Sequence, residues 1–138
     1  MAKSASNAFL DGALYVLKTG ITASGTSYGP CTKVVVCSSQ PTNATHVSYT
    51  PASGGYQLAV TTASSSLFTI ADGDTSGRKI TFAGKSGLTA VYTGHYGHIA
   101  LITAASAILY VTTGLAQPIQ INNPITIPAF DIEVADPT

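Results

Sequence analysis

Charge is what this chain has least of. Lys and Arg together number 6, Asp and Glu together number 6, and the formal net charge over 138 residues is zero. A protein that grips nucleic acid needs a basic face that neutralises several phosphates, and so few scattered cations argue against that class. Little charge also means little self-repulsion between copies, which favours assembly into something larger. Tryptophan is absent and the single methionine is Met1. The opening Met1-Ala2-Lys3-Ser4-Ala5-Ser6 has one cation and no long apolar run after it, unlike a secretory signal. No stretch approaches the roughly 18 apolar residues of a spanning helix. The expectation is a soluble chain made in a cytosol, with neither nucleic acid nor membrane as its partner.

Cysteine is nearly missing too. Cys31 and Cys37 are the only two. With an extended strand between them they would stand roughly 20 Å apart at about 3.3 Å per residue. A disulfide needs Cα atoms within about 7 Å, so two free thiols are expected. Cys37 ends the run Val34-Val35-Val36-Cys37 and reads as a small core side chain.

What remains is rich in Ala, Ser, Thr and Gly, which suit pleated strands and tight turns. The length fits one domain spanning 1–138 that can bury a core without a metal or disulfide staple. Only the start looks helical. Apolar residues at Phe9, Leu10, Ala13, Leu14 and Leu17 follow the spacing of one helix face. The spacing predicts a helix over about 5–19, capped by Ser4 or Ser6 and ended at Gly20. So short a helix is marginal alone in water, and its apolar face must dock, either on one end of its own β core or on a partner subunit.

From Thr32 onward the pattern predicts about nine short strands: 33–38, 45–50, 56–62, 67–70, 78–83, 88–93, 98–103, 107–113 with a short piece at 119–121, and a last strand through 125–134. Tyr56, Leu58 and Val60 are expected on one face. Pro124 and Pro128 mean that the last strand lies at an edge or starts late. Turns every 8 to 12 residues point to an all-β antiparallel sandwich, with jelly-roll topology as one option, carrying one N-terminal helix.

Sites are sparse. Asp72-Gly73-Asp74-Thr75-Ser76-Gly77 sets oxygen ligands at Asp72, Asp74 and Ser76 in the manner of a calcium loop. The position that would carry the bidentate Glu is Ala83, and Arg78 and Lys79 bring positive charge to the site. Asp and Gly also build hairpin turns, and that reading is preferred. His95 and His98 are three apart, with His46 the only other imidazole; a zinc ion wants three or four ligands. No nucleophile elbow, phosphate loop or dinucleotide fingerprint is present, and Asp131, Glu133 and Asp136 read as a solvated edge. No enzymatic activity, metal or cofactor is expected. Asn43-Ala44-Thr45 fits a glycosylation acceptor, idle without a secretory signal.

Several segments together resemble small virion proteins of tailed bacteriophages. They are Ala5-Ser6-Asn7-Ala8-Phe9-Leu10-Asp11-Gly12-Ala13-Leu14, Val36-Cys37-Ser38-Ser39-Gln40-Pro41-Thr42 and Asp72-Gly73-Asp74-Thr75-Ser76-Gly77-Arg78-Lys79-Ile80-Thr81. His98-Ile99-Ala100-Leu101, Leu109-Tyr110-Val111-Thr112-Thr113 and the ending from Pro128 to Pro137 continue the likeness. The segments 43–66 and 115–127 fit the family least. The resemblance implies a non-enzymatic virion structural protein, made in the host bacterial cytoplasm, that decorates or cements the outer surface of a capsid. Its partners would be the major capsid protein or other virion proteins, met by a homo-oligomer or by many copies per particle. A head-fibre base or tail adaptor, and a carbohydrate- or receptor-binding module using Tyr92-Thr93-Gly94-His95-Tyr96, are the alternatives. Contact is expected through small apolar and tyrosine-bearing patches, with Phe9, Leu10, Leu14, Leu17, Tyr15, Tyr28 and Tyr56 as the candidate interface residues.

Overall fold

The computed structural model describes residues 7–19 and 29–136. The proposed caps Ser4, Ser6 and Gly20 lie outside them. Among the described residues the chain runs α1 (Asn7–Thr19), β1 (Lys33–Cys37), α2 (Ala44–Ser48), β2 (Gln57–Thr62), β3 (Phe68–Asp72), β4 (Arg78–Phe82), β5 (Lys85–Thr89), β6 (Gly94–Ile102), β7 (Ile108–Ile119), β8 (Pro124–Ile127) and β9 (Phe130–Val134). The fold is all-β and sandwich-like, and every strand pairing is antiparallel. A four-stranded sheet has the order β2-β1-β6-β7, a three-stranded sheet β3-β4-β9, and β5 pairs with β8. A jelly roll divides eight strands between two sheets; the 4-3-2 division here is a different arrangement.

β1 explains how one core is made. Alternate residues of a strand face opposite sides of the sheet. Val34 and Val36 join the main cluster, while Val35 and Cys37 join a second cluster with Val47, Ala100 and Ile102. Both faces of β1 are covered, so its sequence reads as an unbroken apolar run. The main cluster draws on every sheet: Leu58 of β2, Phe68 of β3, Ile80 and Phe82 of β4, Leu88 of β5, Ile99 and Leu101 of β6, and Ile125 and Ile127 of β8. Phe82 packs near Phe68 and Phe130, with ring centroids 5.7 and 5.1 Å away, and Phe130 stacks near Tyr110 across the sandwich.

α1 docks on this same core. Leu14 and Leu17 are 3% and 5% exposed and belong to the main cluster, and the helix lies against β3, β4 and β9. Burying each leucine is worth about 1.5–3 kcal/mol, which supplies what an isolated helix of 13 residues lacks.

Several expectations are corrected, among them the start of β6, which begins at Gly94 and not at His98. The strand at 45–50 is the short helix α2, whose N-cap Asn43 accepts a hydrogen bond from the His46 N–H at 3.1 Å through its side-chain oxygen. β5 spans Lys85–Thr89, earlier than 88–93, and includes Gly87 with φ 76°. β7 runs unbroken through Gly114 and Pro118 to Ile119 as one strand. The single last strand is two, β8 and β9, divided at Pro128-Ala129. Each has one partner, so both lie at sheet edges, where proline is tolerated. The face shared by Tyr56, Leu58 and Val60 also fails. The β1–β2 register shifts between Val36 and Cys37, so adjacent Leu58 and Ala59 both enter the main core while Val60 stays exposed. A bulge of this kind breaks the two-residue period.

Candidate interaction surface

The turn joining β3 to β4 holds the proposed oxygen ligands, and it is a hairpin. Gly77 has φ 74°, and a Cβ there would lie 2.0 Å from the Val134 carbonyl oxygen, so the close approach of β9 requires glycine. Asp72 and Asp74 are already partnered. Asp72 pairs with Arg78 and Asp74 with Lys79, and Lys79 Nζ also reaches Asp131 Oδ2 at 3.2 Å. The Asp74 N–H donates to Glu133 Oε1 at 2.7 Å, and Thr81 Oγ1 donates to Asp131 Oδ1 at 2.6 Å. The Thr81 hydrogen bond first, and the Lys79 ammonium after it, hold the Asp131 carboxyl below its ordinary range. Asp131 and Glu133 thus face the polar side of edge strand β9, tied to β4 and its turn. Lys79 stands between Asp74 and Asp131 with its own positive charge, and Ser76 is exposed nearby. No group of three or more His, Cys, Asp or Glu able to hold a metal ion is found among the described residues.

The histidines are dispersed. His46 lies beside Tyr56 with ring centroids 4.2 Å apart, His95 is exposed and His98 half-buried. His98 stands directly opposite Cys37 in the β1–β6 register. That pairing sets a thiol and an imidazole side by side on neighbouring strands. Burial pushes the Cys37 thiol up to about 12, and the buried Nδ1 of His98 has no hydrogen-bond partner. Cys31 is likewise buried, its thiol raised to about 11. Both thiols are free.

The aromatic segment 92–96 is not a platform. Tyr96 is fully buried in β6, its hydroxyl has no partner, and burial raises its ionisation to about 12. Tyr92 is half-buried against the main core. A shallow open hollow of about 300 Å³ lies between residues 83–86 and Thr126, Ile127 and Ala129. Its one ionisable group is Lys85, and nothing converges there. No helix among the described residues is long and apolar enough to cross a membrane.

The surface offers apolar side chains instead. Among the described residues, Tyr15, Tyr49, Val60, Val91, Leu115 and Ile121 are the exposed large ones, from 39% for Val60 to 54% for Tyr49. Of the residues expected at an interface, Tyr15 is exposed on α1 and Tyr56 is half-buried. Leu14 and Leu17 are corrected to core positions, because the face of α1 that carries them is the face docked on the sheet. The side chains of Phe9 and Leu10, and Tyr28 altogether, lie outside the described residues. Sequence reasoning missed Tyr49, Val60, Val91, Leu115 and Ile121. Leu115 had a signal, since it sits between Gly114 and Pro118 where a strand bulges.

Comparison with protein-family models, with curated proteins and with solved structures found no match to this chain.

Proposed function

We propose that the protein is a non-enzymatic structural component of a tailed-phage virion that adheres to the outer surface of the head as a decoration or cement protein. The observation that carries this reading is where the charge goes. Arg78 and Lys79 are taken up in local ion pairs with Asp11, Asp72, Asp74 and Asp131, those with Asp72 and Asp74 at the surface, and Tyr15, Tyr49, Val60, Val91, Leu115 and Ile121 stand exposed. A surface of that kind adheres by packing, with aromatic and aliphatic contacts at its centre. The resemblance of several segments to small virion proteins supports the same assignment.

The mechanism is linkage. A protein that binds only the assembled shell stabilises that shell by mass action, and many copies let individually weak contacts add up. The partner is the major capsid protein or another virion protein, and the protein ends its life in the particle. Mixing the purified chain with undecorated heads and with unassembled capsid subunits, then sedimenting each, tests this. Copies pelleting with heads and not binding the subunits support it. A chain left in the supernatant by both contradicts it.

A further inference from the structure

The strand edges of this sandwich are defended unequally. An edge strand carries a row of unpaired N–H and C=O groups that can template another strand, and folds guard such edges with charge, proline, bulges or a cover. β9 carries Asp131 and Glu133, and β3 ends in Asp72. β8 has four residues and starts at Pro124. Over β2, the Val91 N–H donates to the Leu58 carbonyl at 2.8 Å. The far half of β7 is guarded as well. Its register shifts opposite Tyr96–His98, Ala116 adopts φ 51°, and Pro118 offers no N–H.

Between a bulge at Leu109 and the one that starts at Gly114, a stretch of β7 has none of these devices. Tyr110, Val111, Thr112 and Thr113 keep unbroken register with Leu101 to His98 and carry no charge, proline or glycine. Among the described residues β6 is the only strand that β7 pairs with. Aromatic and β-branched residues of this kind are the ones that gain from cross-strand neighbours.

We propose that this edge pairs, antiparallel, with the same edge of a second copy about a twofold axis through Thr112. The backbone fixes the occupant as a strand, since only a strand offers the complementary row of donors and acceptors. The sequence fits it to another copy of itself. Residues paired across strands must share a face, so the axis falls on a residue: Thr112 meets Thr112, Val111 meets Thr113, and Tyr110 meets Gly114. These are β-branched pairs, with Tyr110 opposite a glycine whose face is already filled by its own chain's Tyr96, and with no charge to repel. The contact is isologous, so it closes on itself and leaves no copy of this edge open. Two four-stranded sheets become one continuous sheet of eight.

Sedimentation velocity of the full chain over a range of concentrations tests the pairing. The wild type is expected to dimerise. Thr113→Lys, at an exposed position, is expected to be monomeric and to melt cooperatively at the temperature the wild type reaches at its dilute, monomeric limit, and Thr113→Glu likewise. The two position-113 side chains lie diagonally across the axis, about 7–8 Å apart, so mixing the Lys and Glu variants restores the dimer. Val60→Lys, on the opposite edge of the same sheet, leaves it intact. A wild type that stays monomeric, a Thr113→Lys dimer, or Lys and Glu variants that do not rescue each other overturns the proposal. The pairing stands apart from the virion reading: dimers that ignore phage heads sink that reading and leave this one, and monomers that coat heads do the reverse.

Discussion

Arg78 of β4 grips Asp11 of α1 with two parallel hydrogen bonds, Nε to Oδ1 at 2.7 Å and Nη2 to Oδ2 at 3.3 Å. Fork-to-carboxylate pairing of this kind fixes orientation as well as distance. It spans 67 residues of sequence and holds the helix on the three-stranded sheet, while the same guanidinium also takes Asp72 of the hairpin. Arg78→Ala is expected to lower the melting temperature by a few degrees, and Asp11→Asn to do less. The double variant should fall short of the sum, because both changes remove one contact. Strict additivity in a thermal melt would show that the pair is not coupled.

Leu17 tests how α1 is held. Leu17→Ala is expected to cost about 2–5 kcal/mol, the range for emptying a buried leucine site. Urea denaturation reads this directly. A cost near zero would mean that the helix does not contribute to the sandwich core.

Gly114 tests a close approach. A Cβ at this position would lie 2.1 Å from Cε2 of Tyr96, a ring with no exposed surface into which it could move. Gly114→Ala is expected to destabilise by about 1–3 kcal/mol, the usual cost of overpacking. The far half of β7 should loosen with it, seen as faster amide exchange at residues 114–119. An unchanged urea midpoint would contradict the packing described.

Stability should fall steeply on the alkaline side. Burial raises Cys31 to about 11 and Cys37 to about 12, from an ordinary 9.0, and Tyr96 to about 12 from 10.0. Above about pH 9 the unfolded chain gives up these protons while the folded chain keeps them, so the unfolded state gains. Stability from this source is full below about pH 9 and drains away as pH rises toward about 12. The urea midpoint measured at about pH 8 and about pH 11 should drop, and Cys37→Ala should make the drop shallower. A flat profile would mean that the thiols and phenol are not sequestered.

The Asp72–Gly77 turn should ignore calcium. Lys79 stands between Asp74 and Asp131, so an entering ion must first displace an ammonium. Calorimetric titration is expected to give no heat and no change in melting temperature. Either one appearing would reopen the site.

Much of this architecture was legible from local chemistry. The apolar spacing of Leu14 and Leu17 placed α1, Asp-Gly clusters placed the β3–β4 hairpin, and prolines marked the terminal strands as edges. Failures came where a single side chain outweighed the pattern. Residues 45–50 alternate like a strand, yet Asn43 caps the segment into α2. Gly114 and Pro118 look like strand breakers, yet β7 absorbs them by bulging around the Tyr96 ring. The surface was less legible than the core. Whether Val60 or Leu58 points outward depends on one bulge between β1 and β2, which no periodicity announces. The hairpin ion pairs were foreshadowed by sequence neighbours, but Asp11 with Arg78 joins residues that only the folded chain brings together.

A reconstruction of the intact phage particle into which this protein is proposed to assemble tests the adhesive role most directly. The account predicts many copies of this sandwich arrayed over the outside of the head, following the capsid lattice and touching their neighbours through apolar side chains. A particle with the protein enclosed inside the shell, or a particle lacking it altogether, would contradict the account.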